Sequence, residues 1–365
     1  MGFSWSEARA VLRLAVPIAL TQIGMVLYGT VDMLFVGRLG PAAIASVGLA
    51  SITYFTVFVI GMGTVMGIDS HSAKAFGAGR LDVCGQLLVH TLALALAVAL
   101  PLFCAYSLAG TAYRLFGVAP DVAADALRVL KVLRWAIFPG LCFVACRQFL
   151  QSISVTRPLV LAIVAGNLVN ALLDGALVLG WFGSPSFGVR GSAMATLAAN
   201  LAMLSVAAAA ARRRLAEDGF RFHGWRRSFF VDVLALGLPA GLMMLAEVAL
   251  FACVTALVGR FGAEVMAAHQ LTLNLASATF MVPMGLAHAT AARVGQALGR
   301  GDRRTAAAYG RAGTLMAMGF MSLTGLAFAG APGLFLGAFG AGEAVVRLGR
   351  PLLYCSAAFQ VFDGA

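Results

Sequence analysis

LAVPIALTQIGMVLYGTVDMLFVGRLG, residues 14–40, returns as LGLPAGLMMLAEVALFACVTALVGRFG at residues 236–262. The offset stays constant over a longer stretch, so that residues 14–85 are written again at 236–307. Pro17 meets Pro239, Gly37 meets Gly259, Gly40 meets Gly262, Gly63 meets Gly285, and Gly77 and Gly79 meet Gly299 and Gly301. Matching Pro and Gly positions at one fixed spacing mark a duplicated multi-helix unit. Long apolar helices in two similar halves are the pattern of a secondary transporter, which implies a substrate site between the halves.

Composition agrees. Charged residues make up 11% and hydrophobic residues 61%, with a mean hydropathy of +0.91. Soluble domains carry about a quarter charged residues, so the chain is built for lipid. The net charge of +11 does not indicate nucleic acid, because the basic residues do not cluster among aromatics on a soluble face. They follow the positive-inside rule instead. With the N-terminus inside, inner segments hold 17 Lys and Arg residues and outer gaps hold 6, which sets a cytoplasmic N-terminus; the cytoplasmic (inner) membrane is the expected location. Arg128, Lys131 and Arg134, near a helix end, are left unassigned. MGFSWSEA lacks a basic leader and a cleavage site, so the first helix is expected to be retained. The six cysteines lie in or beside apolar stretches without His or carboxylate at ligand spacing, and read as small packing residues.

About twenty apolar residues cross a bilayer. That predicts helices near 11–36, 44–72, 85–107, 122–149, 158–181, 190–211, 232–258, 265–294, 306–330 and 345 onward. The longest polar gap, ARRRLAEDGFRFHGWRRSFF at 211–230, precedes the second copy. The expected organisation is an N-terminal lobe at 1–211 (helices 1–6), a cytoplasmic linker at 212–231, and a C-terminal lobe at 232–365 (helices 7–10). Aromatics mixed with arginine around Phe220–Phe230 suit the inner leaflet surface. A second unit as long as the first extends some two helices beyond Ala365, so about ten of twelve helices are expected here.

These segments resemble the multidrug and toxic compound extrusion (MATE) family, in its NorM-like branch. LAVPIALTQIG with VDMLFVGRLGPAAIASVGLA is similar to the family's first helix and loop. GIDSHSAKAFGAG at 67–79 is similar to the end of helix 2, FGVRGSAMAT at 187–196 to the entry of helix 6, and MAAHQ at 266–270 and FQVFDGA to helices 8 and 10. The resemblance implies an all-α integral membrane fold of twelve helices in two pseudo-symmetric six-helix lobes. It also implies cation-driven export of cationic or amphipathic compounds. Lys74 departs from the family, which usually has Gln there, whereas the second copy keeps Gln296.

Ionisable residues deep in membrane helices are few and expensive, so each is a candidate by default. Asp32 lies in the first helix, where its bland role is a helix-end residue and the family places a cation-linked Asp. Glu247 sits eight residues after Pro239, with no Lys or Arg between Leu234 and Leu257 to pair with it. The resemblance joins Asp363, in FQVFDGA, to that Glu for cation coupling in the C-terminal lobe, with Na⁺ at Glu247 and Asp363 as the one metal option. Asn170 and Asp174, four residues apart, share a helix face with Asn167. The resemblance sets this stripe opposite Asp32, while ordinary interhelical hydrogen bonding is the plainer role. Gln22, Asn167 and Met243 are candidate cavity residues, Met being adaptable to varied ligands. Asp69 and His71 read as helix-end residues solvated at the interface.

The leading expectation is therefore an antiporter driven by H⁺ or Na⁺, without cofactor or nucleic-acid partner, acting as a monomer on small molecules within the lipid bilayer. A lipid-linked precursor flippase of the related superfamily should need a cationic cavity, yet the mid-helix charges are acidic. A non-transporting fragment is the other alternative. An intramembrane enzyme is disfavoured, since no His-Glu-x-x-His, Gly-x-Ser-x-Gly or Ser-Lys constellation occurs.

Overall fold

The repeated glycines adopt the same backbone conformation in both copies. In the computed structural model, which describes residues 5–337 and 342–364, Gly40 has φ 106° and its counterpart Gly262 φ 100°. Gly79 and Gly301 follow at 72° and 78°. Side chains rarely tolerate these angles, so the duplication is preserved as turn geometry as well as letters.

Between those turns the chain is helical, and no strand occurs among the described residues. The first copy forms α1 (Trp5–Gly37), α2 (Pro41–Met66), α3 (Ile68–Gly77), α4 (Leu81–Ala105), α5 (Ala109–Leu115), α6 (Pro120–Leu133), α7 (Ile137–Ser152), α8 (Arg157–Leu179) and α9 (Val189–Glu217). The second forms α10 (Arg227–Val258), α11 (Ala263–Gly299), α12 (Arg303–Gly330), α13 (Pro332–Gly337) and α14 (Glu343–Asp363). Nine stretches among the described residues are long and apolar enough to cross a membrane. The tenth expected helix, α14, carries Glu343, Arg347 and Arg350 in its first half and is not among them. Three expected helices are broken. Gly67 separates α2 from α3, and short 3-10 turns at Tyr106–Leu108 and Arg134–Ala136 interrupt the third and fourth spans. Asp302 caps α12 by accepting the Thr305 N–H at 2.9 Å, and that bond holds its carboxyl below the ordinary carboxylate range.

The polar gap before the second copy is shorter than it reads, because α9 continues to Glu217 and α10 begins at Arg227. His90 of α4 anchors it. Its Nδ1–H donates to the Gln86 carbonyl at 2.7 Å, and the Arg226 backbone N–H donates to Nε2 at 2.9 Å. The rings of Phe222, Trp225, Phe229 and Phe230 surround this imidazole at 4.9–6.0 Å. Part of the aromatic surface expected to lie on the membrane is thus spent on packing, while Trp225 stays exposed.

Two compact units emerge, Gly24–Leu245 and Met1–Ile23 with Ala246–Ala365. Each boundary falls inside a long helix, α1 or α10, whereas the repeat divides the sequence at 212–231. Within the first unit, a methyl on Gly63 of α2 would overlap the backbone of Gly241 of α10, and one on Gly237 would overlap Thr64. Within the other, a methyl on Gly285 of α11 would overlap Ala19 of α1. Gly63 and Gly285 are repeat counterparts, as are Ala19 and Gly241, so each copy's first helix repeats the other's contact. Small residues let membrane helices approach this closely, which supplies the packing that lipid cannot drive. Large side chains such as Leu172, Leu250 and Leu326 remain exposed, as befits lipid-facing surface.

Gly63→Val should destabilise the protein by about 1–3 kcal/mol or more, since neither backbone can yield. Gly29→Ala, in open space, should be nearly neutral. Thermal unfolding of both variants in detergent checks the contrast, and equal midpoints would contradict the close helix crossing.

Candidate functional site

Three helices bring polar groups together within Gly24–Leu245. The second half of α1 passes close to α8 at Gly24, where a methyl would collide with Ile163. Asn167 seals that crossing by donating to the Gly24 carbonyl at 3.1 Å and to the Ile163 carbonyl at 2.9 Å. After α8 the chain folds back on itself. Ser186 Oγ donates to the Val178 carbonyl at 2.7 Å, and the Phe187 N–H to the Leu177 carbonyl at 2.7 Å. Gly191, where a methyl would strike the Leu177 carbonyl, then starts α9 hard against α8.

This places Ser192 beside α1. Its hydroxyl donates to Asp32 Oδ1 at 2.8 Å. One turn earlier on α1, Tyr28 donates to the Thr196 carbonyl of α9 at 3.2 Å. Asp32 is 8% exposed, and Asn170 and Asp174 are fully buried and interact with the same carboxylate. The Asn170 amide and both Asp174 oxygens meet no partner of full hydrogen-bond geometry among the described residues. Such groups are costly in a low-dielectric interior. The donor set, two carboxylates, an amide and a hydroxyl, is hard and oxygen-rich, which suits a proton or a small hard cation. Ser192 and Tyr28 were not singled out from sequence. Serines at helix starts and tyrosines in apolar runs are too common there to stand out.

The other candidates lie apart from this cluster. Glu247 on α10 and Asp363 on α14 are both exposed, and no hydrogen bond or ion pair joins them among the described residues. Next to Asp363, however, the buried Gln360 ties three helices together. It donates to Thr279 Oγ1 of α11 at 3.0 Å and accepts from Thr324 Oγ1 of α12 at 2.7 Å. Gln22 is buried and donates to Met284 Sδ at 2.6 Å, while Met243 is 68% exposed. Asp69, read from sequence as solvated at the interface, is half-buried and engaged by α7. The fully buried Gln148 donates to its Oδ2 at 2.9 Å, and Arg147 lies within electrostatic range. The break at Gly67 turns α3 against α7 and causes this. No group of three or more His, Cys, Asp or Glu among the described residues is arranged to hold a metal ion.

The MatE family model matches residues 17–175 and 239–365. A probable multidrug resistance protein NorM of Bradyrhizobium diazoefficiens is 36% identical over 365 residues, spanning 97% of this chain and 78% of the relative. One from Xanthomonas axonopodis pv. citri is 33% identical, spanning 100% and 80%. Among solved structures, the eukaryotic MATE transporter AtDTX14 superposes with a TM-score of 0.87 at 20% identity, covering 98% of this chain and 80% of that one. An outward-facing multidrug resistance MATE transporter gives 0.84 at 21%, with the same coverage. At such identities these structures show the shared fold.

Ser192→Ala removes the donor to a buried carboxylate and should lower stability by about 1–3 kcal/mol, with Ser192→Thr retaining most of it. Thermal unfolding in detergent at neutral pH checks this, and an unchanged midpoint for the Ala variant would show that Asp32 does not depend on that hydroxyl.

Proposed function

The chain belongs to the MatE family of NorM-like multidrug efflux transporters, and from that premise we propose that it is an antiporter. In this reading H⁺ or Na⁺ entering the cell drives cationic or amphipathic small molecules out across the cytoplasmic membrane, with the N-terminus inside. The observation that supports it best is the buried group of Asp32, Asn170, Asp174 and Ser192. Two carboxylates facing one another at membrane depth hold a single negative charge at lower free-energy cost than two. A proton or sodium ion arriving at the pair is therefore taken up, and Asn170 and Ser192 adjust, each able to donate or accept. Neutralising the pair changes the hydrogen bonds that α1 makes with α8 and α9. A state that differs in those bonds is then selected by the ion, which is what coupling requires.

Glu247 and Asp363 are the second carboxylate pair in this proposal, within a C-terminal lobe at 232–365 that follows the N-terminal lobe at 1–211. In the same proposal, contact with the substrate falls to Gln22 in one compact unit, and to Asn167 and Met243 in the other. The Gln360 network supports a role for Asp363, because it fixes the helix turn from which that carboxylate projects.

Dye efflux from proteoliposomes, driven in turn by an imposed pH gradient and a sodium gradient, tests the coupling. Asp32→Asn should cut efflux at least tenfold or so and flatten its pH dependence, since a titrating group is removed at constant shape. A wild-type pH profile in that variant would return Asp32 to a structural role.

Glu247→Gln should lose gradient-driven efflux while keeping its membrane abundance and unfolding midpoint. Normal efflux at equal abundance would remove Glu247 from the mechanism.

A further inference from the structure

The three cations that the charge pattern left unassigned converge on one cavity. Arg128, Lys131 and Arg134 recur at a spacing of three along α6 and the turn that follows it, which sets them on one face. Together with Tyr106, Ser107 and Leu127 they line a cavity of about 470 Å³ between α5 and α6. We propose that this cavity is a binding site for the phosphate headgroup of an anionic phospholipid.

Charge accounting favours an anion. Asp125 neutralises Arg128 through an ion pair of 2.6 Å, but no ion pair reaches Lys131 or Arg134 among the described residues. The Arg134 guanidinium lies over the Phe103 ring at 4.5 Å, and its Nε–H is buried with no acceptor. An aromatic face steadies the cation but gives the N–H groups nothing to donate to. The cavity therefore offers two uncompensated positive charges and an orphaned donor, and a phosphate oxygen supplies what both lack. Arg is suited to that role by its planar fork, and Lys by its point charge.

Position selects a lipid over a free anion. The cavity lies between residues 106–110, in the last third of the span Leu81–Leu115, and the charged helix α6, which precedes the apolar α7. Trp135, next to Arg134 and 52% exposed, stacks edge-on against Phe103 at 4.7 Å and lies beside Phe138. The charges of this stretch lie in α6, and the apolar run begins at the Arg134–Ala136 turn and continues into α7. Trp135 thus stands where the apolar run starts, and exposed tryptophan there marks headgroup depth. Leu108, adjacent to Ser107, is also exposed and gives an acyl chain an apolar surface to follow. Basic pockets between membrane helices hold anionic headgroups by this combination of charge and depth. Nothing in the site depends on transport or on which way the chain is inserted.

Native mass spectrometry of the detergent-solubilised full chain tests the assignment, with phosphatidylglycerol, phosphatidylcholine and inorganic phosphate titrated separately. Phosphatidylglycerol should form one adduct that survives activation stripping phosphatidylcholine. Lys131→Gln and Arg134→Gln should each weaken it about fivefold, and Asp125→Asn, which frees Arg128, should strengthen it by a similar factor. Arg303→Gln, remote in sequence, should leave it unchanged. Because Asp125→Asn predicts a gain, the proposal stays testable even where Arg134→Gln impairs folding. Equal retention of the two lipids would overturn it, as would loss of phosphatidylglycerol selectivity in none of the variants. Binding of millimolar inorganic phosphate in place of the lipid would assign the cavity to a soluble anion and overturn the lipid.

Discussion

Hydrocarbon offers no hydrogen-bond partner, so each polar group that this chain carries into the membrane must be answered by another part of the chain. Asp32 makes that constraint visible. Its carboxylate is met by Ser192, and Ser192 reaches it only because the loop after α8 folds back and Gly191 lets α9 start against the Leu177 carbonyl. The arrangement of α1, α8 and α9 is thus shaped around one acidic side chain. Asn167, bonded to the bare carbonyl of Gly24, holds the same helices together from the other end of the stripe.

Polar groups elsewhere fall into two physical kinds. Gln360 with Thr279 and Thr324 is a closed network, in which the amide both donates and accepts across three helices. Such networks rigidify and specify a packing. The amide of Asn170, the carboxylate of Asp174 and the guanidinium Nε of Arg134 are open, each buried without a geometric partner among the described residues. Open groups of this kind leave an interaction that an arriving ion or headgroup can complete. That is the physical ground for treating the Asp32 group as an ion site and the α6 cavity as a headgroup site.

Helix packing follows a separate rule. Lipid tails are as apolar as leucine, so burial alone gives helices little reason to associate. Contact must come from closeness, and the small residues Gly63 with Gly241 on α2 and α10, and Gly285 with Ala19 on α11 and α1, provide it. Their exact correspondence under the repeat means that one ancestral contact serves twice, each time between a helix of one copy and helices of the other. Both compact units consequently end inside a helix rather than in a loop.

Class, duplication and most span positions were legible in the residues, because bilayer thickness fixes helix length and a repeat holds its Pro and Gly positions. Turn positions were legible for a similar reason, since Gly40 and Gly262 must be glycine to hold φ near 100°. Partners were not. Ser192 is 160 residues from Asp32, Gln148 is 79 from Asp69, and no periodicity on one helix announces which face meets another. The bond between Gln148 and Asp69, the closed Gln360 network and the convergence of Arg128, Lys131 and Arg134 on one cavity were likewise decided by tertiary structure. Sequence sets what each helix must bury, whereas which group answers it depends on close approaches that only three-dimensional packing, through bare glycines and returning loops, brings about.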